Sequence, residues 1–379
     1  MRRELGAGRR MDRRTGRRAA LLLLALAALG ATPRAEAADG ITLSGHAQQT
    51  ASVATPFSGG PSFSGGAATG ITLVLDARRD SASLRASMHF SILYGDEAEN
   101  LWASLMASSV GANSLLMAPA FDPLSPAPQV IALFALDDAA LSWDIGSFAF
   151  EAGKTYANWG VGRAFSPADF FAEFDYSSGT PARRSKLIAR ATWFTGATSR
   201  VDLVYDPFAA SGSSFAVRAY ATPFNSLACS VAAGFREAAR SSPRNILGAF
   251  ETSFDLLFVS PYAEAAFAMP LDGSSAATFS FLGGGIVRAG DITLLGEYLF
   301  QPIAAIKHGI FAQASLPFDE WLSLSIPLLY YPESGALTSG AAFTASDIAG
   351  LTLGITATVN RSVSQSWSGK LTFQARTNF

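Results

Sequence analysis

The sequence predicts an all-β chain that spans a membrane as a closed antiparallel barrel after loss of a leader, and three observations carry this. An arginine-rich start runs into a short apolar stretch, apolar and polar side chains then alternate residue by residue, and the connections between alternating segments are long and short in turn. Composition agrees: 379 residues, 49% hydrophobic against 15% charged, with 28 Phe, exclude a disordered chain. A single cysteine, Cys229, excludes a disulfide framework, and three scattered histidines, His46, His89 and His308, argue against a metal site. No cofactor is expected.

The leader is residues 1–37. Eight arginines between Arg2 and Arg18 precede the apolar run Ala19 to Gly30, which is too short to cross a bilayer, and Ala35-Glu36-Ala37 supplies a small-x-small cleavage site. Residues 38–379 are then one barrel domain. Loss of the leader leaves 19 basic and 27 acidic residues, and with no clustered basic patch a nucleic-acid partner is excluded.

Alternation defines the strands because side chains point to opposite faces with a period of two. Leu84, Ala86, Met88, Phe90, Ile92 and Tyr94 share one face, and Arg85, Ser87, His89 and Ser91 the other. The last segment is the clearest, with Leu371, Phe373, Ala375, Thr377 and Phe379 opposed to Lys370, Thr372, Gln374, Arg376 and Asn378. Such segments fall at 41–50, 70–79, 84–94, 130–145, 147–156, 186–194, 200–207, 214–222, 227–236, 246–255, 259–269, 277–287, 291–300, 307–316, 321–330, 337–345, 350–359 and 368–379. They number about 18, within a range of 14–18 that allows the weak first segment to be dropped.

The connections 51–69, 95–129, 157–185 and 237–245 are long, whereas those at Asp80, Thr195 to Ser199, Gly290 and Ser346 to Gly350 are tight. A spanning barrel keeps this phase; a soluble sandwich has no reason to. Pro261 and Pro327 fall within strands, so bulges or displaced strand ends are expected there. Tyr94, Trp143, Tyr156, Trp193, Trp321, Tyr330, Tyr331 and Trp367 lie near strand ends, where interfacial girdles form.

The segment Lys370 to Phe379 resembles the C-terminal insertion signal of bacterial outer-membrane β-barrels, carried by Phe373 and the terminal Phe379. The resemblance implies outer-membrane lipid and the barrel-insertion machinery as partners. Gly153-Lys154, Trp159-Gly160-Val161-Gly162 and Phe165-Ser166-Pro167-Ala168-Asp169 are similar to a stretch of porin-like barrels that enters a long loop. If such a loop folds inward, Arg163, Asp169, Glu173 and Asp175 become constriction candidates; if not, they are solvated charges on an external loop.

A barrel of this strand number is too wide for side chains to fill, so a porin-like passage for small solutes is the expected function. By parity Arg85, Glu151, Lys186, Arg190, Arg200, Asp202, Arg218, Glu251, Glu264, Arg288, Glu297, Lys307, Lys370 and Arg376 face water. Nine basic against five acidic groups would bias the lumen toward anions, unless the charges merely pair across strands. The alternative is a non-conducting barrel, structural, adhesive or lipid-handling. Catalysis is not expected, since His308, alone on the apolar side near a strand end, has no nucleophile elbow beside it.

Overall fold

The computed structural model describes residues 36–378, apart from 38–39, 58–62, 108–113, 122–127, 173, 176–181, 209–212, 238–242, 274–275, 305, 349 and 364–365. The leader therefore lies outside the described residues except for Glu36–Ala37, which bridge onto Thr42 and Ile41. Phe379 also lies outside them.

Eighteen strands form the barrel: β1 (Ile41–Pro56), β2 (Ser64–Arg79), β3 (Ala82–Gly95), β4 (Pro128–Ile145), β5 (Phe148–Thr155), β6 (Lys186–Gly196), β7 (Ser199–Asp206), β8 (Ser214–Phe224), β9 (Leu227–Arg236), β10 (Asn245–Phe254), β11 (Val259–Pro270), β12 (Thr278–Ala289), β13 (Ile292–Phe300), β14 (His308–Asp319), β15 (Leu322–Tyr331), β16 (Ala336–Ile348), β17 (Leu351–Arg361) and β18 (Trp367–Asn378). Each pairs antiparallel with its neighbour. The barrel closes where β1 pairs with β18, from His46↔Asn378 to Pro56↔Ser368. Among the described residues one helix, α1 (Asp96–Ala107), follows β3.

The first strand is thus the closing seam and not dispensable. Its alternation is weak because small and polar residues fill it, yet pairing on both sides carries it to Pro56, so the first connection is only 57–63. The sequence Phe-Ser-Gly-Gly occurs at 57–60 and again at 63–66, and Ser64 to Gly66 of the second copy belong to β2. Strand β5 reaches only residues 139–145 of β4, and a further strand, Ser114–Phe121, pairs with the remainder of β4.

Neither strand proline is bulged, contrary to expectation. Pro261 lies one residue past the last β10–β11 pair, Ser253↔Tyr262, and Pro327 sits where β15–β16 pairing jumps from Ser325↔Ala342 to Leu328↔Ser339. A missing N–H costs little where no ladder bond is due. The tight turns, among them Asp80-Ser81, Asn225-Ser226 and Gly290-Asp291, all fall at one end, and the long connections at the other.

The outward wall is apolar. Leu203, Tyr205, Phe215, Val217, Phe250 and Phe373 are each 41–47% exposed, which an aqueous solvent would penalise and a lipid phase would not. Trp143, Trp193, Trp321 and Trp367 lie exposed near strand ends as girdle residues should. Tyr156 and Tyr331 do not join them: the first lines an internal cavity and the second packs edge-on against Phe165.

Candidate functional site inside the barrel

The connection after β5 does not leave the barrel. Its first part, residues 156–172, touches Ile188 of β6, Val204 of β7, Ala216 of β8, Ala232 of β9 and Ala249 of β10 through Trp159 and its neighbours. It then reaches Tyr262, Leu282, Phe311 and Leu329 on β11, β12, β14 and β15 through Ala164 and Phe165. One short segment can meet strands over more than half the circumference only by lying inside.

Local chemistry explains the turn inward. Asn158 and Gly160 adopt φ of 54° and 80°, in the left-handed region that Asn and Gly tolerate best. A Cβ on Gly160 would lie 1.9 Å from Ser166 Oγ, and one on Gly162 1.8 Å from the Phe165 carbonyl oxygen, so the Trp-Gly-x-Gly pattern is a requirement of close backbone approach. Trp159 is fully buried, with Phe170 and Phe171 edge-on to its ring at 6.3 and 5.3 Å.

Backbone N–H groups bind the segment to two strand carboxylates. Glu264 of β11 accepts from Val161 (2.5 Å), Gly162 (2.6 Å) and Ala168 (2.9 Å). Glu297 of β13 accepts from Arg163 (2.5 Å), Ala164 (2.8 Å) and Phe165 (3.0 Å), and from the Tyr262 hydroxyl (2.5 Å). Five consecutive N–H groups, Val161 to Phe165, thereby satisfy two buried carboxylates without a basic side chain, which is how a polar group is tolerated in a low-dielectric site.

Asp169 closes the segment on itself. It accepts from the backbone of Trp159 (3.1 Å) and Phe171 (3.1 Å), and pairs with Arg183 at 3.0 Å. Burial pushes its carboxyl up to about 6, against the opposing pull of Arg183 and the backbone donors. Arg183 also donates to the Trp159 and Gly162 carbonyls at 3.2 and 3.3 Å and lies over the Phe174 ring.

The other predicted charges are distributed along the wall. Arg190 and Arg200 hold Asp202 at 3.1 and 3.2 Å, with the Thr192 hydroxyl donating to it at 2.7 Å. Arg218 pairs with Glu251 and donates to Ser230, and both Arg200 and Arg218 stack on Tyr220 at 4.8 and 5.3 Å. Arg85 lies across the barrel, more than half exposed, 3.9 Å from Asp76 and 4.0 Å from Asp138. Glu173 and the side chain of Asp175 lie outside the described residues. The sequence analysis singled out neither Arg183, which looks like any loop base, nor Tyr262, which its shared inward parity with Glu264 could have disclosed.

Cavities lie on both sides of the segment. Toward the tight turns is one of about 810 Å³, lined by Gly160 to Arg163, Arg183, Tyr262, Ile286 and Arg288 together with the Asn225-Ser226 turn. Toward the long loops is one of about 360 Å³ lined by Phe165, Ser166, Pro167 and Gln301. A third, of about 570 Å³, holds Asp76, Arg85, Asp138, Glu151 and Tyr156 on the β2–β5 side. His308, on the outward face, stacks on Phe300 and Tyr298 and lies 3.4 Å from Glu333.

No protein-family model matches the sequence, and no curated protein does. Solved structures match in fold. OccK11 (OpdR) of Pseudomonas aeruginosa superposes with a TM-score of 0.57 at 9% identity, over 90% of this chain and 97% of that one. OpdK of the same organism, crystallised with vanillate, gives 0.55 at 8% over 89% and 98%. OccAB4 of Acinetobacter baumannii gives 0.53 at 8%, again over 89% and 98%.

Proposed function

We propose that this chain, which has the fold of bacterial outer-membrane porins, is an outer-membrane channel through which small solutes diffuse with a preference for anions. Residues 1–37 direct its export and are removed, and the final strand with Phe373 and Phe379 presents it to the insertion machinery. The observation that supports the reading is how internal charges are used. Glu264, Glu297 and Asp169 are held by backbone N–H groups and Arg183, Asp202 is paired with Arg190 and Arg200, and Glu251 is paired through one oxygen with Arg218. The space beside the segment is therefore left with Arg163 and Arg288, Arg183 being paired with Asp169, against Asp255, which accepts from Ser260 at 2.7 Å. A positive wall around a water-filled narrowing raises local anion concentration and repels cations.

The test is single-channel recording of the refolded mature chain in a planar bilayer, with the reversal potential measured across a potassium chloride gradient. Discrete steps with chloride preference are expected. Cation preference would overturn the anion bias, and a barrel that migrates heat-modifiably on a gel yet never conducts would place it with structural or lipid-handling barrels.

A further inference from the structure

The cavity beneath the inward segment differs from the neighbouring wall of β6 to β8 in the state of its arginines. On those strands the guanidinium groups are committed: Arg190 and Arg200 to Asp202, Arg218 to Glu251. Arg163 and Arg288 both line the cavity of about 810 Å³, and neither side chain forms an ion pair among the described residues. Glu297, which the fold brings against the first from 134 residues away, accepts from the Arg163 backbone N–H. One arginine projects from the segment and the other from β12, so they approach the space from two different supports. The same cavity is lined by Tyr262, fixed by its hydroxyl bond to Glu297, and by the apolar Ile286.

Two uncommitted, planar, five-donor cations on one cavity recognise two anionic groups better than one, because each fork pairs bidentately with its own carboxylate or phosphate. We infer that this cavity is a binding station for small solutes carrying two anionic groups, one held by Arg163 and the other by Arg288, with the short apolar linker of the solute against Ile286 and Tyr262. The inference rests on the channel reading above and sharpens it from anions in general to dianions. The cavity on the β2–β5 side carries Asp76, Asp138 and Glu151 beside Arg85, so it offers such a solute no competing station.

The experiment uses the full mature chain in a planar bilayer in potassium chloride, with succinate, propionate or glycerol phosphate added on the tight-turn side. Succinate is expected to interrupt the current with resolvable dwell times, and propionate at equal concentration to give interruptions about tenfold shorter, the factor that one ion pair of ~1.4 kcal/mol contributes. Glycerol phosphate tells a need for two separate anionic groups from one for two charges: dwell as short as that of propionate supports the station, and dwell equal to that of succinate overturns it. Arg288→Gln and Arg163→Gln should each bring succinate down to the propionate level, with heat-modifiable migration confirming that the barrel has closed. Arg288→Lys keeps the charge but loses the fork and should recover only part of the dwell. Equal dwell for succinate and propionate, or succinate dwell untouched by both glutamine variants, overturns the station. Either result would leave the chloride preference of the wild-type channel intact, so it is separable from failure of the channel reading, which shows as cation preference or silence.

Discussion

The two long insertions, after β3 and after β5, are held in opposite ways. The first is held at its start by side chains: Glu97 of α1 accepts from Lys370 of β18 at 2.6 Å and from Ser52 of β1 at 2.7 Å, and Ala98 beneath it is fully buried. The second is held by its own backbone, six N–H groups into Glu264 and Glu297, and by Trp159 within an apolar cluster. A side-chain clamp can be exchanged one residue at a time. A backbone clamp fixes the path of the chain itself, so the second insertion is the one whose position defines the passage.

The largest effect is therefore expected from the strand carboxylates. In Glu264→Gln with Glu297→Gln, charge-assisted bonds become neutral ones and each new amide turns a donor toward backbone donors. Hydrogen bonds to charged groups contribute about 1.5–3 kcal/mol each, so the segment should lose about 5 kcal/mol or more of its hold. Single-channel conductance should rise at least about twofold and become noisy. Heat-modifiable migration should persist, because strand pairing does not use these side chains. Unchanged conductance would show that the segment does not set the passage.

This contrast also separates what the sequence discloses from what it hides. The strands were legible because a lipid phase on one side and water on the other writes itself into every second residue, as in Leu203 and Tyr205 against Asp202. Glu264 and Glu297 could be read as inward-facing by that parity. What they meet could not: the partner of Gly162 is 102 residues away, and the partner atoms are backbone, which carries no residue signature. The Trp-Gly-x-Gly pattern marked the place, but the reason for its glycines became visible only with Ser166 and Phe165 packed against them.

Acidity should act on the second insertion in an intermediate range. The Asp169 carboxyl, pushed up to about 6 by burial, would return toward its ordinary 3.8 if the segment came free. Protonation therefore favours the held state: the contribution grows as pH falls through 6, levels below 3.8, and is absent above 6. At pH 5 it amounts to roughly 1.4 kcal/mol. Current fluctuations from transient release should be several-fold rarer at pH 5 than at pH 7, and Asp169→Asn should flatten that dependence. More frequent release at pH 5 would contradict the assignment.

The smallest effect belongs to the first insertion. Burial alone would raise the Glu97 carboxyl, but the hydrogen bonds from Lys370 and Ser52 outweigh it and hold the group below the usual carboxylate range. Both partners of the ion pair keep contact with solvent, at 41% and 30% side-chain exposure, so screening leaves the clamp within about 1 kcal/mol. Glu97→Gln should keep the Ser52 bond and lose the charge pair. Thermal stability should then fall by at most a few degrees, with less change in 1 M salt than at low salt. Because α1 rests on β2, β3 and β4 as well as on the closing pair β1 and β18, its loosening should be felt at the seam, as faster hydrogen exchange along residues 46–56 and 368–378. Exchange unchanged at the seam but faster around β11 would mean that the two insertions are coupled, and that the side-chain clamp supports the backbone clamp across the barrel.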